Sequence, residues 1–172
     1  MIKYNYITKS SGGGDLYGQL QKSNIQFYYV IDGVSGKNNP QEAASTLNKY
    51  LHQLFDTCKI TDAISFFEYL SFCHLLCKNE GFTLKSAAAG ILFIDSVVYN
   101  FNVGDVRVYG INNNQIHQLT KDDSVFQEML DAGEVNEESY LYHEQKSFIT
   151  QCIGGKQIPD FHIEIIPPDF RV

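Results

Sequence analysis

Asp32 stands where a carboxylate can do chemistry. It closes the β-prone run Ile25-Gln26-Phe27-Tyr28-Tyr29-Val30-Ile31 and opens directly into Gly33-Val34-Ser35-Gly36. A carboxylate at a strand's tip is held by the sheet and keeps one side in solvent. The glycine beside it lets the backbone approach a ligand closely and offer its carbonyl. Carboxylate plus carbonyl is hard-oxygen ligation, the kind that suits Mg²⁺ or Mn²⁺. The same Asp-Gly also fits an ordinary turn after a strand. At this point both readings stand.

A second Gly-Asp lies between two strand-like runs, in Asn102-Val103-Gly104-Asp105-Val106-Arg107-Val108-Tyr109. Strand alternation puts Asp105 and Arg107 on one face, so an ion pair between them is the expectation. Asp122-Asp123 resembles a metal pair on paper, yet it precedes a helix expected from about Ser124. There the two carboxylates are expected to complement the helix dipole. Gly12-Gly13-Gly14 has neither the Gly-Lys-Ser/Thr ending of a P-loop nor a helix after it, and reads as a flexible turn. The histidines at 52, 74, 117, 143 and 162 show no paired metal spacing and read as structural.

The elements that must position these groups are set by periodicity. Ile2 to Thr8 alternates as a half-buried strand does. After a glycine-rich loop from Ser10 to Asp15 comes the strand into Asp32. Asn39 is an N-cap, Pro40 suits the first helical position, and Ala43, Ala44, Leu47, Tyr50, Leu51, Leu54 and Phe55 mark one helical face. Thr61 with Asp62 opens a second helix running to about Asn79 and closing at Gly81. Ala87–Ile94 and Val97–Val103 read as strands around Asp95-Ser96, and Arg107–Ile111 and Gln115–Leu119 as a hairpin around Asn112-Asn113-Asn114. Phe161–Ile166 is a last strand. Phe66, Phe67, Tyr69 and Phe72 read as core or helix-packing material. The pattern predicts an α+β fold, an antiparallel β-sandwich flanked by helices, as one domain over 1–172.

With 172 residues, 44% of them hydrophobic, the chain can bury a real core. A net charge of −7 argues against a nucleic-acid surface. No apolar stretch approaches a membrane span, and the polar start is unlike a signal peptide. Cys58, Cys73, Cys77 and Cys152 lack zinc-site spacing. The expectation is a reduced, cytoplasmic protein.

Several stretches, in order, resemble the metal-dependent serine/threonine protein phosphatases, the PPM or type 2C family. Val30-Ile31-Asp32-Gly33-Val34-Ser35-Gly36 is similar to the family's first metal motif, and Gln41-Glu42-Ala43-Ala44-Ser45 to the start of its first long helix. Val103 to Tyr109 resembles Val-Gly-Asp-Ser-Arg-hydrophobic-Tyr, with Val106 for serine. Leu119 to Ser124 resembles Leu-Thr-x-Asp-His-Ser, with Asp123 for histidine. Gly133 to Glu138 and Phe148 to Gly154 fit the next segment of the family pattern.

The resemblance implies a four-layer αββα fold and a hydrolase acting on phosphoserine and phosphothreonine of a phosphorylated protein substrate, with a metal-activated water as nucleophile. It implies two Mn²⁺ or Mg²⁺ ions bridged by Asp32, the Gly33 carbonyl in one ion's shell, Asp15 orienting bound waters from the second shell, and Asp105 at a weaker additional ion. Asp15 comes after Gly13-Gly14 where the family has Asn-Glu. Ser10, with Lys9 beside it, lies where the family has a phosphate-gripping arginine. Lys9 is the candidate phosphate-binding residue, a point charge in place of a bidentate fork. The polar, acidic segment from Ser124 to Lys146 lies where the family carries a variable flap, expected to be more mobile than the sheets and to influence substrate choice.

The family pattern continues past a strand like Phe161–Ile166 into an Asp-Gly motif and a final Asp-bearing strand that this sequence does not show. The sequence therefore reads as C-terminally incomplete, as a fragment or as a natural short form. The alternative function is a catalytically inactive phosphatase-like domain acting as a protein-binding or regulatory module. An open sheet edge then offers a place for a partner.

Overall fold

The computed structural model describes residues 14–34, 39–81 and 83–171. Five strands form one antiparallel sheet in the order β1-β2-β3-β4-β7: β1 (Asp15–Lys22), β2 (Ile25–Gly33), β3 (Ser86–Ile94), β4 (Val97–Val103) and β7 (His162–Ile165). β5 (Tyr109–Asn112) and β6 (Gln115–Gln118) form a separate two-stranded sheet. Tight hairpins turn the chain. Ser23 carries a φ of 51° between β1 and β2, Asp95 a φ of 53° between β3 and β4, and Asn113 and Asn114 sit at 49° and 62° between β5 and β6. Asn and Asp tolerate this region better than most side chains. The first two turns are tied together, since Asn24 Nδ2 donates to Asp95 Oδ1 at 2.7 Å.

β2 alternates strictly. Ile25, Phe27, Tyr29 and Ile31 are buried beneath the helices, while Gln26, Tyr28, Val30 and Asp32 face the other way. Helix α1 (Pro40–Phe55) starts where expected, with Asn39 Oδ1 accepting from the Glu42 N–H at 3.3 Å. Helix α2 (Ala63–Glu80) starts on a capping box between Asp62 and Ser65. The two helices pack on one face of the sheet over a core that includes Leu47, Leu51, Phe66, Tyr69, Leu70, Phe27 and Phe101. The Tyr69 hydroxyl donates to the Leu51 carbonyl at 2.6 Å and ties one helix to the other. Of the four aromatics read as core or helix-packing material, Phe66 and Tyr69 are in the core and Phe67 meets buried Phe161 edge to face at 5.6 Å, while Phe72 is 55% exposed.

The structure departs from the sequence reading in places. A whole strand, β1, runs between the glycine-rich loop expected over Ser10–Asp15 and β2, in a stretch where periodicity marks no element of its own. Gly18 is needed there: a Cβ would lie 2.2 Å from the Tyr29 hydroxyl. β5 begins at Tyr109: Gly104 has a φ of 85° and residues 104–108 are not part of a strand. The strand expected over Ile2–Thr8 lies outside the described residues. Cys58, Cys73, Cys77 and Cys152 are free, with Cys73 and Cys77 buried in the core. Among the described residues no helix is long and apolar enough to cross a membrane.

Candidate metal centre

The β1–β2 register sets Asp15 opposite Asp32, and the next strand sets Ala87 beside Asp32. Gly104 closes over this row: a Cβ on it would lie 2.5 Å from the Ala87 Cβ. The turn carrying Asp105 is thereby brought to the same end of the sheet as Asp32. Asp32 keeps its outer side in solvent, but its carboxyl is crowded. Partial burial raises its pKa to about 6, helped by the Asp15 charge, by a hydrogen bond to Asp15 and by Asp105. Burial also raises the Asp105 pKa, as does the charge of Asp122, with Arg107 acting the other way. Asp15 is therefore a direct cross-strand neighbour of Asp32 as well as a candidate for orienting water.

Gly33 is glycine for a packing reason as well. A Cβ there would lie 1.9 Å from the Pro40 carbonyl oxygen, so the start of α1 crosses directly over it. Its own N–H donates to the Gly14 carbonyl at 3.0 Å, which fixes the approach of the chain into Asp15. Lys9, the candidate for the phosphate, lies outside the described residues.

Two sequence expectations are corrected here. Arg107 does not pair with Asp105. It grips Asp122, with Nε donating to Oδ1 at 2.7 Å and Nη2 contacting Oδ2. Residues 105–107 form no strand, so the alternation that would have put Arg107 beside Asp105 does not apply. Nor do Asp122 and Asp123 serve mainly the dipole of α3 (Val125–Asp131), whose N-cap is Ser124. Asp123 is a buried hub: Oδ2 accepts from the Gly104 N–H at 2.8 Å, and Oδ1 accepts from Gln151 Nε2 at 2.9 Å and meets His162 Nε2 at 2.9 Å. Its backbone also exchanges with Gly104 and Thr150. His162 and Gln151 were not singled out from sequence, and no local signal marks residues 39 and 28 positions from their partner.

The donor set suits a hard cation. Asp15 and Asp105 both raise the pKa of Asp32, and the Gly33 main-chain carbonyl lies beside it, an arrangement that positive charge relieves. Asp15, Asp32 and the Gly33 carbonyl fit part of such a shell. Among the described residues, no cluster of three or more His, Cys, Asp or Glu side chains is arranged to hold an ion by itself.

Comparison with known proteins gives the setting. The protein phosphatase PhpP of Streptococcus pneumoniae is 35% identical over 96 residues, covering 54% of this chain and 39% of PhpP. A Streptococcus agalactiae serine/threonine phosphatase superposes with a TM-score of 0.79 at 18% identity, over 92% of this chain and 70% of that one. The catalytic domain of the serine/threonine phosphatase PstP, solved with two manganese ions, superposes with a TM-score of 0.68 at 18% identity, over 93% and 69%. No family model matches the chain. The chain has the α+β fold of these phosphatases and is similar in sequence to PhpP over 96 residues. Its match spans 39% of the length of that curated relative.

Proposed function

We propose that this chain is a serine/threonine protein phosphatase module, hydrolysing phosphoserine and phosphothreonine monoesters of a phosphorylated protein. The observation that carries this reading is the Asp15–Asp32 pair at the open end of the sheet, with the Asp105 turn drawn beside it. Asp32, Asp15 and the Gly33 carbonyl would hold Mn²⁺ or Mg²⁺, two ions per site in the complete family domain, with Asp105 reaching a weaker one. When bound, the ions supply Lewis acidity that makes a water nucleophilic near neutral pH. The chain's own part is placement. The sheet fixes Asp15 and Asp32 in register, Pro40 packs over Gly33 at the end of β2, and the Asp123 hub fixes the Asp105 turn. Lys9 is proposed to meet the phosphate.

A cytoplasmic, reducing setting is part of the same proposal, supported by four free cysteines. So is a partner at a sheet edge: β1 and β7 are the outer strands among the described residues, and Ile165 on β7 is 63% exposed.

One observation favours a second reading, a phosphatase-like binding or regulatory module without turnover: the described residues assemble no complete ion shell. Hydrolysis of a phosphothreonyl peptide and of p-nitrophenyl phosphate, in chelator and in Mn²⁺, separates the two. Metal-dependent turnover lost in Asp32→Asn supports the enzyme. Peptide binding without turnover in either buffer supports the module.

A further inference from the structure

The segment from residue 125 to 148 leaves the core and returns through a narrow neck. The Val125 N–H donates to the Phe148 carbonyl at 2.8 Å, Ser124 and Ile149 form an antiparallel bridge, and the Thr150 N–H donates to the Asp123 carbonyl at 2.8 Å. Because Asp123 is itself bonded to Gly104, this neck stands beside the Asp105 turn. The flap holds α3 and a 3₁₀ turn, Glu137–Tyr142. A neck alone would leave such an excursion free to swing.

It is held a second time, at Tyr140. The Tyr140 ring meets buried Phe126 edge to face at 5.1 Å, and the Arg107 guanidinium carbon lies 5.5 Å from its centroid. Lys146 Nζ sits 5.9 Å from the same ring. Arg107 does not reach Tyr140 as a loose surface cation. One edge of its fork, Nε with Nη2, is committed to Asp122, whose side chain is only 4% exposed, so the planar group is oriented before it meets the ring. A guanidinium oriented by a carboxylate and partly withdrawn from water, here 30% exposed, makes a firmer contact with an aromatic face than a freely solvated cation does. By contrast, the Lys121–Asp131 pair, the other charged tie to the flap, is 61% and 48% exposed and adds little.

We propose that Arg107 is a positioning residue that latches the flap, through the face of Tyr140, against the Gly104–Asp105 turn. The latched flap is then a fixed wall beside the carboxylates, against which a protein substrate is read; this last step rests on the phosphatase reading above. The arrangement assigns Arg107 two tasks at once. Its fork holds Asp122 in the segment that leads into Asp123 and the neck, and its face holds Tyr140.

Hydrogen exchange of the whole chain tests the latch without requiring turnover. Tyr140→Leu should speed exchange of amides in 125–148 about tenfold, the order expected for losing one oriented cation–π contact with its aromatic packing. Exchange in β2 and β3 should not change. Tyr140→Phe keeps the ring face and should restore slow exchange. Arg107→Lys keeps the charge but loses the planar fork, and should loosen the flap as Tyr140→Leu does. In NMR spectra, the Arg107 side-chain protons should be shifted upfield by the ring in wild type and Tyr140→Phe, and not in Tyr140→Leu.

Unchanged flap exchange in Tyr140→Leu overturns the proposal. So does equal acceleration of β2 and β3, which would make Tyr140 a packing residue, and so does a Tyr140→Phe variant as loose as Tyr140→Leu. In the presence of Mn²⁺, a loosened flap should lower kcat/KM for a phosphothreonyl peptide more than for p-nitrophenyl phosphate. Absence of any turnover in the wild type would instead remove the phosphatase reading and the substrate wall with it, while exchange still decides the latch.

Discussion

Asp15 and Asp32 face each other directly across the β1–β2 pair, with one carboxyl hydrogen-bonded to the other. Two like charges opposite one another on adjacent strands are destabilising. A fold that places them there without a cation must share a proton between them or bear their repulsion. This conflict is local, and it is located at the one end of the sheet where the chain also brings Asp105.

Asp32→Asn should therefore raise the melting temperature of the chelator-treated chain at pH 7, because it removes one of the opposed charges while keeping the side chain's shape. The same substitution should abolish the stabilisation that Mn²⁺ gives the wild type. Thermal melts with and without Mn²⁺ check both. A lower melting temperature for the metal-free variant would mean that Asp32 makes a favourable structural contact, and that the pair is not a strained anion site.

The pH dependence has a definite sign. Asp32 has its pKa raised from 3.8 to about 6 in the fold, so between those values the native state holds a proton that the unfolded chain has lost. Its contribution to stability is present below pH 4 and is lost as the pH rises through about 6. Exposure of its outer side makes the effect smaller than the shift alone would give. The difference in melting temperature between Asp32→Asn and wild type, both metal-free, should widen from pH 4 to pH 7. A constant difference would show that the charge of Asp32 is not the source.

Much of the frame was legible in the chain, for local reasons. Asn39-Pro40 and Asp62 announce the helix starts, and Asp95-Ser96 and Asn113-Asn114 announce the turns, because caps and left-handed turns depend on one or two residues. Asp32, Gly33 and Asp105 stood out as candidates because each sits at the end of a strand-like run, and the order of the segments carried the family resemblance. What failed was everything decided by a non-local contact. Residues 105–107 lie outside any strand, and Asp122, fifteen positions on, takes the Arg107 guanidinium that alternation would have paired with Asp105. Asp123 looked like a helix-terminal acid because its partners, Gly104, Gln151 and His162, are far away in sequence. β1 was hidden because periodicity marks no element of its own there, and its pairing with β2 is what makes it a strand.

Gly33→Ala tests how the loop after Asp32 is set. The new methyl would meet the Pro40 carbonyl oxygen at 1.9 Å, and that atom belongs to backbone, so α1 must shift at its first turn. Overpacking of this kind costs about 1–3 kcal/mol. The variant should unfold at lower denaturant and, because Asp32 is the adjacent residue, bind Mn²⁺ more weakly. Chemical denaturation and a Mn²⁺ titration measure the two effects. Unaltered metal affinity in a destabilised variant would detach Gly33 from the centre and leave it a packing residue only.

Asp123→Ala should be costlier than its place before a short helix suggests. The carboxylate accepts from the Gly104 N–H, from Gln151 and from His162, and its side chain is only 7% exposed. Removing it strands the Gly104 N–H in a buried place, where an unmet donor costs about 1–3 kcal/mol, and it unties β7 from the turn. Asp123→Asn keeps one oxygen for the Gly104 N–H, and its Nδ2 can donate to a neutral His162 Nε2 but cannot accept from Gln151 Nε2, so it should lose less than alanine. Because Gly104 carries Asp105 with it, both variants should also weaken Mn²⁺ binding, in the order Asn then Ala. Urea unfolding and Mn²⁺ titration of the two variants check this ranking. An alanine variant as stable as wild type, binding Mn²⁺ equally well, would show that the Asp105 turn is held from elsewhere.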